Sequence, residues 1–364
     1  MFVAFNRCAS CVTSANDAGF QIFGVPPDST FRQLRSDTTL GAISVVAMLD
    51  NTPLLVVVGS SRGTQQQQQT GTHRFLQLYD TNRHEVLTSM HFDTAILNVR
   101  MNIKRLVVIL ERTTHIFDLN TLAPLPQIRS TQPLNKTGLG ALSDLTTAGK
   151  CYFAFPYSDR EGRGDIVVIE AVEQRESTIL PAHRHPIVAV EICSSGSRIA
   201  TCSISGTTIK VFSNPNSQLL FQFRRGQRQA LVYCLAFSRN GDLLAVSSDS
   251  GTLHLFSCNE GGGTGGFEGI RSFAKIAVRD PKLKTLCAIS ENNKILSVVS
   301  VPAQAGQRCT IVQYLIEQNC KLTAEYPLCC SIFERKSYKI KISPFFAVSH
   351  IKETKIVLLW FFFE

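Results

Sequence analysis

The sequence predicts an all-β chain built as a seven-bladed propeller, and three observations carry that prediction. The first is a recurring unit, a short apolar run that ends in an aromatic or aliphatic residue and then a turn. It appears as Phe20-Gln-Ile-Phe23, Phe75-Leu-Gln-Leu-Tyr79, His115-Ile-Phe117, Ile166-Val-Val-Ile169, Ile209-Lys-Val-Phe212, Leu253-His-Leu-Phe256 and Ile311-Val-Gln-Tyr314. The second is spacing. Between Phe23, Tyr79, Phe117, Ile169, Phe212, Phe256 and Tyr314 the intervals are 56, 38, 52, 43, 44 and 58 residues, against ~40–45 for one propeller blade. The third is that helical periodicity is nowhere sustained, while apolar runs of strand length are everywhere.

The longer intervals contain insertions. Residues 60–72 include five consecutive glutamines, Gln65 to Gln69, and residues 259–269 are rich in glycine. Both read as surface loops. Between the markers, Leu54-Leu-Val-Val-Val58, Leu106-Val-Val-Ile-Leu110 and Leu243-Leu-Ala-Val246 are apolar at every position. Strands covered on both faces require such runs. The Trp-Asp dipeptide of ordinary WD40 repeats is missing, and the only tryptophan is Trp360. The expected propeller is therefore a degenerate WD40-like one, occupying 1–327. Residues 328–364 are expected to be a C-terminal extension. From Glu334 onward it carries six Lys/Arg against three Glu.

The chain has 364 residues, 44% hydrophobic and 18% charged, with a formal net charge of +9. That composition is too apolar for disorder. The basic excess suits nucleic acid, an anionic membrane or simple solubility alike. Aromatics rarely interleave with the basic residues, which argues against a nucleic-acid platform. The twelve cysteines mostly lie in strand-like apolar runs, where Cys behaves as a small hydrophobe. With no secretory signal evident, a reducing cytosolic compartment is expected. Cys8-Ala-Ser-Cys11 has zinc-ligand spacing but lacks a second pair, so no metal is expected. The longest apolar run near the C-terminus, Ile356 to Phe363, spans eight residues, well short of the ~20 that cross a bilayer. Gly261-Gly-Gly263-Thr-Gly-Gly266 matches G-x-G-x-x-G only formally, because no helix or βαβ unit follows it. P-loop, H-E-x-x-H and nucleophile-elbow motifs are absent, and the expectation is a chain that is not an enzyme and has no cofactor.

The chemistry concentrates in one stretch. Phe223-Arg224-Arg225-Gly226 places two adjacent arginines in strand-like sequence, between the cassettes Ser203-Ile-Ser-Gly206-Thr207 and Ser248-Asp-Ser-Gly251-Thr252. Neighbouring side chains on a strand point to opposite sides. The two arginines are therefore expected to serve two separate anion pockets, one each. A guanidinium binds phosphate oxygens bidentately, and Ser and Thr hydroxyls add donors. A glycine beside each threonine is expected to let the backbone approach the ligand.

At this point the residues resemble a family. The stretch from His183 to Phe256 is similar to the lipid-binding core of the PROPPINs, phosphoinositide-binding β-propellers of autophagy. The resemblance rests on Ala200-Thr201-Cys-Ser203-Ile-Ser-Gly206-Thr207-Thr-Ile-Lys210-Val-Phe212, on Phe223-Arg224-Arg225-Gly226 and on Ser247-Ser248-Asp-Ser-Gly251-Thr252-Leu-His254-Leu-Phe256. Phe5-Asn6, Met48-Leu49, Met101-Asn102-Ile-Lys104-Arg105 and Ser272-Phe-Ala-Lys275 add to it. It covers about residues 1–325.

The resemblance implies a first head-group site of His183, Ser203, Thr207, Lys210 and Arg224. A second site would hold Arg225, Ser247, Ser248, Thr252 and His254. Lys210 stands where the family usually has Arg. The loop from Ser257 to Arg271 corresponds to a membrane-inserting loop, with Phe267 and Ile270 as its only large apolar residues. The two histidines would make binding stronger below about pH 6.5.

The implied function is non-catalytic membrane recruitment through phosphatidylinositol 3-phosphate and the 3,5-bisphosphate in phagophore assembly. The implied partners are phosphoinositide membranes and autophagy proteins such as the phagophore lipid-transfer protein, without nucleic acid. The implied location is cytoplasmic, at preautophagosomal, endosomal or vacuolar membranes. The alternative is a WD40-like protein-interaction scaffold that binds no lipid.

Overall fold

The computed structural model describes every residue except 27–30, 61–72, 127, 130–133, 158–161, 174–176, 260–268, 279, 281–282, 303–308, 319 and 329–364. The described strands form seven sheets in chain order, each a four-stranded antiparallel meander, and the blade 5 sheet adds a fifth, parallel strand, Ile270–Arg271, at its outer edge. These are blades 1 to 7, spanning 2–37, 43–91, 96–129, 141–183, 187–224, 232–277 and 284–328. The seven marker residues of the repeating unit all fall in the third strand of their blades: Gly19–Gly24, Phe75–Asp80, Thr113–Asp118, Gly164–Glu170, Thr208–Ser213, Thr252–Ser257 and Cys309–Leu315. The fully apolar runs fall in second strands, such as Arg105–Leu110, where all six residues are buried.

Seven hydrophobic clusters among the described residues join the blades in a ring, one cluster per neighbouring pair. Each blade thus buries both faces against its neighbours, the condition that makes alternation disappear from second strands. Among the described residues, the ring closes between blades 7 and 1 by side-chain packing, without exchanging a strand. Val12, Phe23 and Val25 pack there against Val299, Ile311 and Leu328. Phe31 stacks between Phe23 and Tyr326 with centroids 6.0 and 4.5 Å away. Gln313 Nε2 donates to the Pro26 carbonyl at 2.6 Å. The last described strand is Lys321–Leu328, whose final residue is the first of the expected extension. Beyond Leu328, the expected extension lies outside the described residues.

Two of the resembling segments prove architectural. Asn6 is buried, and its amide donates to Ser10 Oγ and the Asp50 carbonyl while its oxygen accepts the Cys11 N–H. Asn102 bridges blades 3 and 4 by donating to the Ser143 carbonyl at 2.8 Å. Arg105, almost fully buried, bonds the Ala171 and Val172 carbonyls and pairs with Asp118 at 2.6 Å.

Candidate anion-binding site

The arginine motif ends the outer strand of blade 5, Leu219–Arg224. Phe223 is fully buried, stacked between Phe221 at 5.5 Å and Phe256 of blade 6 at 4.5 Å. This ring stack fixes the strand at the blade 5–blade 6 junction and leaves the arginines at its mouth. They have opposite environments, as the period of two requires. Arg224 is exposed, and Arg225 keeps 6% of its surface.

Arg225 is the bracket of the site. Its Nε donates to the Gly206 carbonyl, one Nη to the Arg228 carbonyl at 2.6 Å, and the other to Ser250 Oγ at 3.1 Å. Its own N–H bonds the Thr207 carbonyl at 2.9 Å. One guanidinium thus ties the 203–207 turn of blade 5 to the 248–252 turn of blade 6. Burial lowers its pKa, with Cys202 and Asp249 opposing.

The two turns share one geometry. Ser203 Oγ bonds Ser205 Oγ and Ser248 Oγ bonds Ser250 Oγ, each at 2.9 Å. Gly206 and Gly251 have φ of +62° and +71°. Gly206 is required by this conformation, and a Cβ there would stand 1.7 Å from the Ala230 carbonyl oxygen. Its freedom serves the turn and the Ala230 contact, rather than the ligand approach expected from the sequence.

Both arginines line a single cleft of about 330 Å³, together with Gly226, Gln227, Arg228, Gln229, Ser250, Arg271 and Lys275. This corrects the expectation of one arginine per pocket. The reason is a short strand that sequence spacing could not reveal. Ile270–Arg271 pairs in parallel with the outer strand of blade 5, aligning Ile270 with Phe223 and Arg271 with Arg224. The Arg224 stem lies over Gly269, with Cδ 3.9 Å from where a Cβ would stand. The same strand corrects Ile270, expected to enter a membrane. It packs against the blade 5–blade 6 core. Phe267 lies outside the described residues.

Among the described residues, the cleft lining has five cations and no carboxylate. Among the described residues, no hydrogen bond or ion pair engages the side chains of Arg224, Arg228, Arg271 or Lys275. Uncompensated like charges of this density repel one another, and an anion with several oxygens relieves the repulsion.

The remaining expected residues divide. His254 is buried, its Nδ1 3.1 Å from Ser272 Oγ, and it pairs in register with Lys275. Ser248 joins the cleft indirectly through Ser250. Thr252 opens the third strand of blade 6, opposite Ala277. Ser247 is a correction. Fully buried, it turns to blade 7 and donates to the Thr285 carbonyl at 2.7 Å, so it belongs to the blade junction.

A separate polar group sits where blade 4 meets blade 5. His183 Nε2 lies 3.0 Å from Thr201 Oγ1, and Lys210 Nζ donates to the Ala182 carbonyl at 2.8 Å. Burial, then Arg184, lowers the Lys210 pKa. Burial pushes the pKa of His183 down to about 4, with Lys210 adding to it, and that of His254 to about 4, with Arg225 and Lys275 adding. Both imidazoles are neutral at mildly acidic pH, which corrects the expected strengthening of binding below about pH 6.5.

Ser250, Arg228, Ser272, Arg271 and Lys275 were absent from the expected site. Their signal was present but unread: Ser250 lies inside the second cassette, and Arg271 and Lys275 bracket Ser272-Phe-Ala.

A family model, PROPPIN, matches residues 1–264. The chain belongs to the PROPPIN family. Relatives include autophagy-related protein 18 of Dictyostelium discoideum, 30% identical over 82% of this chain and 86% of the relative. The Mycosarcoma maydis protein of the same name is 34% identical over 72% of this chain and 60% of its own length. The chain therefore spans less than two thirds of that relative. Among solved structures, Kluyveromyces lactis Hsv2 superposes with a TM-score of 0.70 at 20% identity, covering 89% of this chain and 97% of that one. KlAtg21, solved in complex with the coiled coil of AgAtg16, gives 0.74 at 23% identity, covering 90% and 98%. These likenesses establish the propeller fold of this PROPPIN. No helix among the described residues is long and apolar enough to cross a membrane.

Proposed function

We propose that this PROPPIN is a non-catalytic adaptor that binds 3-phosphorylated phosphoinositides and recruits autophagy proteins to the membranes carrying them. The observation that supports it is the cleft, which among the described residues combines five cations, a serine hydroxyl and no carboxylate at the edge of blades 5 and 6. Its volume of about 330 Å³ falls within the ~300–1,000 Å³ of small-molecule sites. A phosphomonoester offers up to two charges and several acceptor oxygens, the chemistry that guanidinium forks match best. In this reading Arg224, Arg271 and Lys275 take the phosphates. Arg225 holds the two turns in place around them.

The His183, Ser203, Thr207 and Lys210 group serves as a second, weaker head-group position. Lys210 gives a point charge where a guanidinium would give a fork. Two positions engaging one bilayer raise overall affinity by roughly 10²–10⁴-fold. The recruited partners are autophagy proteins. A coiled-coil segment is one class, since the KlAtg21 structure holds one. The lipid-transfer and lipid-conjugation machinery of the phagophore is another. The protein then resides in the cytoplasm and at preautophagosomal, endosomal or vacuolar membranes.

The test is co-sedimentation with phosphatidylcholine vesicles with and without phosphatidylinositol 3-phosphate or the 3,5-bisphosphate. It compares the natural chain with Arg224→Thr and with Arg224→Thr/Arg225→Thr, and checks folding by circular dichroism. Lipid-dependent binding that folded Arg224→Thr loses supports the proposal. Folded variants that bind as the natural chain does, or a natural chain indifferent to the phosphoinositide, leave the protein-only scaffold.

A further inference from the structure

We infer that Ile204, Leu231 and Phe273 form an apolar rim around the cationic cleft, and that this rim enters the interfacial layer of the bilayer whose head group fills the cleft. The inference rests on the phosphoinositide reading of that cleft. These residues are 48%, 48% and 53% exposed, and they are three of only nine large hydrophobics left exposed among the described residues. Single exposed hydrophobics are ordinary. Three bordering one basic cleft make a different pattern, and each sits one step from the cleft wall.

Ile204 occupies the tip of the 203–207 turn, and its carbonyl accepts from Gln229 Nε2, a side chain of the cleft lining, at 3.3 Å. The equivalent tip of the sister turn in blade 6 is Asp249. Both tips are held alike, by an N–H bond to the Pro186 carbonyl for Ile204 and to the Leu231 carbonyl for Asp249, at 2.9 and 3.0 Å. The fold thus accepts a charged residue at this position, and isoleucine there is not demanded by packing. Leu231 lies beside Asp249, whose Oδ1 accepts its N–H at 2.9 Å, and the next residue, Ser250, lines the cleft. Phe273 lies between two cleft cations. Exposure alternates along 271–275, so that Arg271, Phe273 and Lys275 face out while Ser272 and Ala274 turn in.

The occupant is a lipid surface because both halves of the pattern are needed. Five cations, with no carboxylate among the described lining residues, match the anionic head-group layer, and aliphatic and aromatic side chains at the rim match the zone just beneath it. Ile270, one of the two residues the sequence offered for insertion, is used in the core between blades 5 and 6, and among the described residues the rim supplies the apolar contact.

The experiment changes Ile204→Ser, Leu231→Ser and Phe273→Ser, singly and together, and measures two probes. One is phosphatidylcholine vesicles containing phosphatidylinositol 3-phosphate, and the other is the free head group, inositol 1,3-bisphosphate. Each single change is expected to weaken vesicle binding about five-fold and the triple about 100-fold, the consequence of partly burying each side chain. Head-group affinity should stay within about two-fold. Unchanged vesicle binding overturns the rim and leaves the cleft reading standing. An equal fall for both probes also overturns it. A natural chain that binds neither probe defeats the cleft reading itself. Independently, Phe273→Trp in a Trp360→Phe background should shift its emission to the blue on vesicles and be quenched by brominated lipid. Emission that stays unshifted overturns the inference even if binding is strong.

Discussion

Arg224 and Arg225 should respond differently to the same substitution, although they are neighbours in one motif. Arg225→Ala removes a buried guanidinium that donates to the Gly206 carbonyl, the Arg228 carbonyl and Ser250 Oγ. Hydrogen bonds to a charged group contribute ~1.5–3 kcal/mol each, but the variant also regains the cost of burying the charge. A net loss of about 3 kcal/mol results. Unfolding entropy is ~2.1 cal/mol/K per residue, or about 0.7 kcal/mol/K for a propeller of this size, so Tm falls by about 4 °C. Arg224→Ala removes an exposed side chain that has no partner among the described residues, and surface changes of that kind stay within ~0.5 kcal/mol. Its Tm should move by less than about 1 °C while vesicle binding is lost. Differential scanning fluorimetry of both variants, alongside co-sedimentation, reads the difference. Equal melting temperatures for the two would refute the bracket role of Arg225.

Ser247→Ala should cost about 1 kcal/mol in urea unfolding, because it strands the Thr285 carbonyl, and leave vesicle binding intact. Ser250→Ala takes a partner from the buried Arg225 guanidinium and from Ser248 Oγ, so it should cost about 1–2 kcal/mol and also weaken binding several-fold. Gly206→Ala meets the Ala230 carbonyl at 1.7 Å in a φ of +62° and should lower Tm by several degrees. Gly226→Ala meets nothing within 4 Å, so its Tm should match the natural chain. For the histidines, the folded pKa of about 4 lies below the ordinary 6.5. Stability is therefore full above pH 6.5 and is lost as pH falls toward 4, by about 3 kcal/mol for each residue. Urea melts at pH 7.5, 6 and 4.5 check the direction. Vesicle binding should stay flat between pH 7.5 and 6, and a steep rise on acidification would contradict neutral imidazoles.

Much of the architecture was legible because blades repeat. A marker such as Phe212 or Phe256 records a strand covered on both sides, and that burial recurs once per blade. The position of the arginine motif was equally legible, since Phe223-Arg224-Arg225-Gly226 breaks an apolar strand-like run between two serine-rich turns. The partition of the site was not legible. Ser247 and Ser248 are neighbours in one cassette, yet one faces blade 7 and the other Ser250. Arg271 reaches Arg224 through a two-residue parallel pairing across 46 intervening residues, a contact too short to leave a pattern.

The sequence by itself determined the blade count and the position of the basic motif, because a ~40-residue period and a cluster of adjacent charges are local properties. Only the tertiary structure decided what surrounds each arginine. Blade-to-blade packing buried Arg225 against carbonyls, drew Ile270 into the core and set Arg271 beside Arg224. Those outcomes depend on atoms brought together from distant parts of the chain, and no local pattern encodes them.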